Sequence, residues 1–127
     1  MTPEELIASK YIGIRQAPGY PACPEHSEKE TIFNLLQAKE QCGISLTENY
    51  SMYPNASVCG VYYAHPESRY FGIEKVGKDQ VDDYAHRKEV SPGFIEKYIP
   101  SNLNYEPKKG DEPIGPPPAQ KTEKHAI

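Results

Sequence analysis

The chain has 127 residues and a mass of 14.3 kDa, the size of one small domain, and nothing in it suggests a second core. Hydrophobic residues make up 37% and prolines number 13, five of them after residue 106, so part of the polar excess belongs to one tail. Lys and Arg total 14 against 18 Asp and Glu, a net charge of -4 with no basic run and no long apolar stretch, which excludes nucleic acid and a membrane as expected partners.

Thr2, Pro3 and Glu5 form a capping-box start with proline at the first helical position, and Leu6 and Ile7 give the helix one apolar side until about Lys10. From Ser9 to His26 the prolines and glycines exclude a continuous helix and a central strand alike, so this stretch is expected as an ordered loop. Ser27 and Glu30 repeat the capping box, Ile32, Phe33, Leu35, Leu36 and Ala38 recur at helical spacing, and Gly43 supplies a stop; the pattern predicts one helix over 28–42. Residues 44–53, 57–64 and 70–76 are rich in Val, Tyr, Ile, Thr and Phe. The turn residues Pro54-Asn55 and His65-Pro66-Glu67-Ser68 break them into the strands of an antiparallel meander. Asp79 is placed to cap a helix to about Lys88, and Ser91-Pro92 opens a last short helix carrying Phe94, Ile95 and Tyr98. The expected fold is α+β: an antiparallel β-meander packed with three to four short helices, ending near Leu103. Residues 104–127 bury too little to offset the entropy of ordering and are expected as a Pro-rich, disordered or loosely draped tail.

The most unusual dozen residues are Arg15 to His26, RQAPGYPACPEH. Prolines at 18, 21 and 24 stiffen a loop whose Gly19 permits close backbone approach. Arg15 offers a planar fork for a carboxylate or phosphate, and Tyr20 adds a ring with a hydroxyl, a pairing suited to an amino acid or nucleoside. The plainer reading pairs Arg15 with a local acid and puts Tyr20 in the core. Cys23 and His26 make a C-x-x-H pair that His65 or His86 could complete, but no second closely spaced pair exists, so no metal centre is expected. Cys23, Cys42 and Cys59 form an odd set without a CxxC, which points to reduced thiols and, with no signal peptide, to a cytoplasmic protein. Tyr62, Tyr63, Tyr70 and Phe71 read first as the packing of a half-buried sheet, and Asp79, Asp82 and Asp83 as a helix-start charge cluster.

The segments GIRQAPGYPACPEHSEK, GISLTENYSMYPNASVCGVYYAHPESRYFGI and VGKDQVDDYAHRK closely resemble the activation, or reactivation, domain of cobalamin-dependent methionine synthase. The resemblance runs from about Tyr11 to Leu103 and includes that family's Arg-x-x-x-Gly-Tyr signature as Arg15, Gly19 and Tyr20. It implies an α+β unit that binds S-adenosylmethionine in a shallow groove, supporting reductive methylation of cob(II)alamin to methylcobalamin. By the same resemblance, Arg15 engages the methionine carboxylate, and Tyr20 with the backbone around Ala17, Gly19 and Ala22 lines the ligand. Tyr70 is expected to reach the ligand from the sheet. No residue of the chain is expected to be catalytic in itself, and cobalamin is held by a neighbouring domain or chain. The family's domain is more than twice as long, so the chain is expected as its C-terminal half, part of a methyltransferase that is incomplete alone. The implied partners are the missing N-terminal half, a cobalamin-binding domain and a flavodoxin-type electron donor, with self-association as a further outcome. The alternative is a non-catalytic interaction module that docks on a corrinoid protein or a flavodoxin.

Overall fold

The computed structural model describes residues 1–110 and 112–116. The chain divides into two compact units, Met1–Gly72 and Ile73–Ile127.

In the first unit, α1 (Pro3–Ile7) starts as its sequence dictates. The Thr2 amide donates to Glu5 Oε2 at 2.8 Å and the Glu5 amide donates to Thr2 Oγ1 at 3.2 Å, a closed capping box. A strand, β1 (Ile14–Gln16), then appears inside the stretch expected to be loop throughout. Its three residues lie between Gly13 and Ala17, ahead of the first proline of the stretch, so every amide in them is able to donate. β1 pairs antiparallel with β4 (Val61–Tyr63), setting Ile14 opposite Tyr63, Arg15 opposite Tyr62 and Gln16 opposite Val61. The backbones approach closely at both ends of the ladder. A Cβ on Gly13 would stand 2.6 Å from the Tyr63 carbonyl oxygen, and one on Gly60 would stand 2.7 Å from that of Gln16.

The helix expected over 28–42 is two helices, α2 (Glu28–Leu36) and α3 (Ala38–Cys42). Gln37 between them is left-handed, with φ 49° and ψ 47°, and its amide turns back to the carbonyls of Phe33 and Asn34 as at a helix end. The apolar spacing continues across the break, which is why periodicity alone does not reveal it. Nor does Ser27 cap α2: its own backbone is helical (φ -67°, ψ -14°). The Glu25 carboxylate instead accepts from the Ser27 amide at 2.7 Å and from the Ser27 hydroxyl, placing a negative group at the helix start.

The α+β class holds, but the strands do not follow one another in a single meander. β2 (Ser45–Leu46) and β3 (Met52–Tyr53) form a separate two-stranded ribbon, while β4 turns away to the distant β1. Residues 70–76 form no named strand. Tyr70 attaches to β1 through its hydroxyl instead, and Val76 makes an isolated parallel bridge to Leu103 within the second unit.

The second unit is built on α4 (Lys78–Lys88) packed against α5 (Pro92–Tyr98), followed by a 3-10 turn over Pro100–Asn102. Its apolar interior is Val81, Ala85, Phe94, Ile95, Ile99 and Leu103, with Ile95 at 0% exposure. The cap of α4 is Gly77, not Asp79: the Gly77 amide donates to Gln80 Oε1 at 2.8 Å and Asp79 falls in the first turn. Ser91 caps α5, accepting from the Phe94 amide at 3.2 Å. The same hydroxyl accepts from the Ile114 amide at 2.7 Å and donates to the Glu112 carbonyl at 2.9 Å. Tyr105 adds a bond from its hydroxyl to Glu96 Oε1 at 2.8 Å. The described part of the tail is thus tied to α5; Asp111 and residues 117–127 of the tail expectation lie outside the described residues.

Candidate functional site

A groove of about 460 Å³ opens over the β1–β4 ladder. Its walls are Leu6, Tyr11, Ile12, Gly13, Ile14, Arg15, Tyr62, Tyr63, Ala64 and Tyr70, all in the first unit. Directly paired residues of an antiparallel ladder present their side chains on one face, so the Arg15–Tyr62 register puts a guanidinium beside a phenol. Three further tyrosines, Leu6 and Ile12 from α1 and the loop after it, and Ile14 and Ala64 supply the remaining surface, which is mostly apolar.

Arg15 is exposed, and its guanidinium is the one positive side chain in these walls. The neighbouring phenol of Tyr20, and after it that of Tyr62, raises the pKa of the guanidinium above the ordinary arginine value, so the charge is permanent. Among the described residues no carboxylate forms an ion pair with Arg15, so the plainer reading of a local acid partner is not observed there. Tyr70, half exposed, grips the same residue through its backbone: its hydroxyl accepts from the Arg15 amide at 2.9 Å and donates to the Arg15 carbonyl at 3.3 Å. The phenol therefore sets where the guanidinium starts from, and its ring lies along the groove.

The remaining sequence-marked residues form a turn next to the groove rather than part of its wall. Ala17 is buried, and its carbonyl accepts from the Tyr20 amide at 3.0 Å. Gly19 has φ 98°, its amide donates to the Cys23 carbonyl at 2.7 Å, and the Cys23 amide donates to the Tyr20 carbonyl at 2.9 Å. Only glycine fits at 19, since a Cβ there would stand 2.4 Å from Cε1 of His26. Tyr20 is 38% exposed, which overturns its placement in the core, and Ala22 is half buried. The structure thus puts Arg15 and Tyr70 in the groove and joins Tyr20 to them through Arg15, with Ala17, Gly19 and Ala22 shaping the turn that carries Tyr20.

The packing first read into the sheet tyrosines is not observed. Tyr62 is 78% exposed and Tyr63 51%, and with Tyr11 they furnish the aromatic faces of the groove. Strand alternation could not reveal this, because it says which residues share a face and not whether the face is covered. Lys29 also escapes sequence reading, since a lysine in the first turn of a helix normally lies in water. It is buried, and its ammonium lies 3.0 Å from His26 Nδ1 and donates to the Tyr50 carbonyl at 2.9 Å. Burial, and after it the charge of Lys29, lowers the pKa of His26 below 6.5, against an opposing pull from Glu25.

Among the described residues no three His, Cys, Asp or Glu side chains converge as a metal site requires. His26 is engaged by Lys29, and His65 Nδ1 accepts from the Glu67 amide at 3.0 Å, closing the HPES turn. The three cysteines form no disulfide with one another, and no helix of the described residues is long and apolar enough to cross a membrane.

Comparison with known proteins identifies the family of the chain. Residues 1–89 match the family described as vitamin B12 dependent methionine synthase, activation domain. Among solved structures, the chain is similar to the MetH reactivation domain bound to AdoHcy, at 49% sequence identity and a TM-score of 0.79. The likeness covers 84% of this chain and 33% of that one, so the chain spans about a third of its solved relative's length. With most of its length matched by the family and its fold shared with a solved member, the chain belongs to the vitamin B12 dependent methionine synthase activation domain family.

Proposed function

We propose that this chain is an S-adenosylmethionine-binding part of the reactivation domain of vitamin B12 dependent methionine synthase. One observation carries the reading: Arg15 presents a permanent cation, held by its backbone, inside a tyrosine-lined groove of about 460 Å³. The side chains fit the ligand class on chemical grounds. A guanidinium matches a carboxylate in shape and charge, broad aromatic faces suit a purine, and electron-rich rings tolerate a sulfonium nearby. The solved relative holds the demethylated form of the same molecule, which supports this assignment.

In this reading Arg15 holds the methionine carboxylate, and Tyr62 and Tyr63 offer faces to the nucleoside. Tyr70 keeps Arg15 in place, while the turn at Ala17, Gly19 and Ala22 carries Tyr20 to the edge of the site. The bound molecule supplies an electrophilic methyl group and cobalamin, held by a neighbouring domain, accepts it with an electron from a flavodoxin-type donor. What the chain contributes is orientation: it fixes one end of the methyl donor so that the other is presented in one direction. The rest of an activation domain and a cobalamin-binding domain are the proposed partners, in a cytoplasmic enzyme. Exposed Leu6, Ile7, Ile12, Val58 and Phe71 offer apolar surface to such partners.

Calorimetric titration of the chain with S-adenosylhomocysteine, alone and mixed with the remainder of an activation domain, tests the proposal. Binding in either sample that is lost with Arg15→Ala supports it. Flat titrations in both samples, with a cobalamin-binding partner still captured, would leave an interaction module that binds no nucleoside.

A further inference from the structure

The polar interior of the first unit contains an arrangement that the groove does not use. Lys29 is 7% exposed, and its ammonium is directed at two acceptors on different parts of the unit. One is Nδ1 of His26, at 3.0 Å; the other is the carbonyl of Tyr50, at 2.9 Å, in the turn joining β2 to β3. A lysine ammonium has donors and no acceptor, so Nδ1 must hold a lone pair and the ring proton sits on Nε2. The same ring closes on the turn that carries Tyr20: the position of a Cβ at Gly19 is 2.4 Å from Cε1, 3.0 Å from Nε2 and 3.1 Å from Nδ1. Gly19 therefore rests directly on the imidazole, and the next residue is Tyr20, whose phenol is the main influence on the Arg15 guanidinium.

We propose that Lys29 is a positioning residue for the groove: through His26 it sets the Gly19–Tyr20 turn, and through that turn the orientation of Arg15. The inference rests on the functional reading above for its consequence in binding, but the link from Lys29 through His26 to Gly19 stands on geometry alone. The start of α2 and the turn at Tyr50 meet at one buried ammonium, and the turn 17–23 rests on the imidazole that this ammonium holds. Removal of that ammonium leaves the imidazole without its anchor and the Tyr50 carbonyl without this donor.

The charged and titratable groups around His26 define how the link responds to pH. Lys29 disfavours the imidazolium, as does burial of part of the ring, and Glu25 favours it. Cys59 lies within the influence of Lys29 but is uncharged in this range, since burial raises its pKa above 9.0. Protonation of His26 places a second cation against Lys29 and eliminates the lone pair that the ammonium uses. The turn at Gly19 is then released as pH falls through the lowered pKa.

Nuclear magnetic resonance of the 127-residue chain tests this without a ligand. In the unaltered protein His26 titrates below 6.5, and the amide signals of Gly19 and Tyr20 move with the same midpoint. In Lys29→Met the His26 midpoint rises towards 6.5; in Lys29→Arg, which keeps the charge, it stays low. Gly19 and Tyr20 signals that ignore the His26 titration overturn the proposal, and that result is readable in the unaltered chain even if Lys29→Met fails to fold. Titration with S-adenosylhomocysteine is the second arm, where Lys29→Met is expected to bind at least fivefold more weakly and Lys29→Arg to recover most of the loss. If the unaltered chain and its mixture with the rest of the domain bind nothing, the functional reading fails while the resonance result still decides the role of Lys29.

Discussion

Arg15 illustrates how one residue can be held and still be available. Its backbone is taken twice by Tyr70 and it pairs in register with Tyr62, while its guanidinium stays exposed and its charge is reinforced by the phenols of Tyr20 and Tyr62. Replacing it with alanine should therefore weaken S-adenosylhomocysteine binding by about tenfold or more, the share of a charge-assisted bond to a carboxylate, and leave the melting temperature nearly unchanged. A variant that loses stability and affinity together would mark Arg15 as structural. Tyr70→Phe acts on both quantities: it removes two bonds to the backbone that holds Arg15, and should cost about 1 kcal/mol in chemical denaturation as well as weakening binding. Gly19→Ala combines a φ of 98° with a Cβ driven into the His26 ring, and a loss of about 1–3 kcal/mol is expected from strain. At this scale the sequence was most informative. The Arg-x-x-x-Gly-Tyr spacing and the prolines marked the turn that lies beside the groove, but Lys29 was invisible, because nothing local distinguishes a lysine that will be buried from one that will not.

Among the elements, the break at Gln37 offers a test of sign. In a continuous helix over 28–42 a glycine at 37 would cost about 1 kcal/mol relative to alanine. In the observed left-handed conformation Gln37→Gly should instead be neutral or stabilise by up to about 1 kcal/mol, measured as a shift in the urea midpoint at unchanged slope. Ser91 is the corresponding point in the second unit. Its hydroxyl serves the Phe94 amide, the Ile114 amide and the Glu112 carbonyl at once, so Ser91→Ala should cost about 1–2 kcal/mol and speed amide exchange at Ile114. Helix starts with proline at the first position, at Thr2-Pro3 and Ser91-Pro92, were legible because the cap and its partner lie within three residues. Strand pairing was not. β1 meets β4 some 45 residues away in sequence, and no short-range pattern encodes that choice.

For the whole molecule, two groups set opposite edges of a pH window. His26 has a folded pKa below its unfolded value near 6.5, so the unfolded chain takes up the proton first. Stability is complete above 6.5 and declines as pH falls from there through the lowered folded value, by a modest amount because the ring is partly exposed to solvent. Cys59 has a folded pKa above its unfolded value near 9.0, so stability is complete below 9.0 and declines as pH rises beyond it. Melting temperatures taken across pH 4–10 should therefore show a plateau between these edges, and Cys59→Ser should flatten the alkaline one. An alkaline edge that persists in Cys59→Ser would assign it to another group.

By itself the sequence determined the family, the α+β class, the two helix starts led by Thr2-Pro3 and Ser91-Pro92, and the place of the turn that carries Gly19 and Tyr20. These are local matters, decided by residues within a few positions of one another through proline, glycine and capping chemistry. Tertiary structure alone decided which strands pair, that the tyrosines of β4 line an open groove instead of packing, and that Lys29 leaves water to hold His26 and Tyr50. Those outcomes depend on which distant surfaces meet, and burial, the quantity that separates a surface lysine from a brace and a core tyrosine from a groove wall, exists only once they have met.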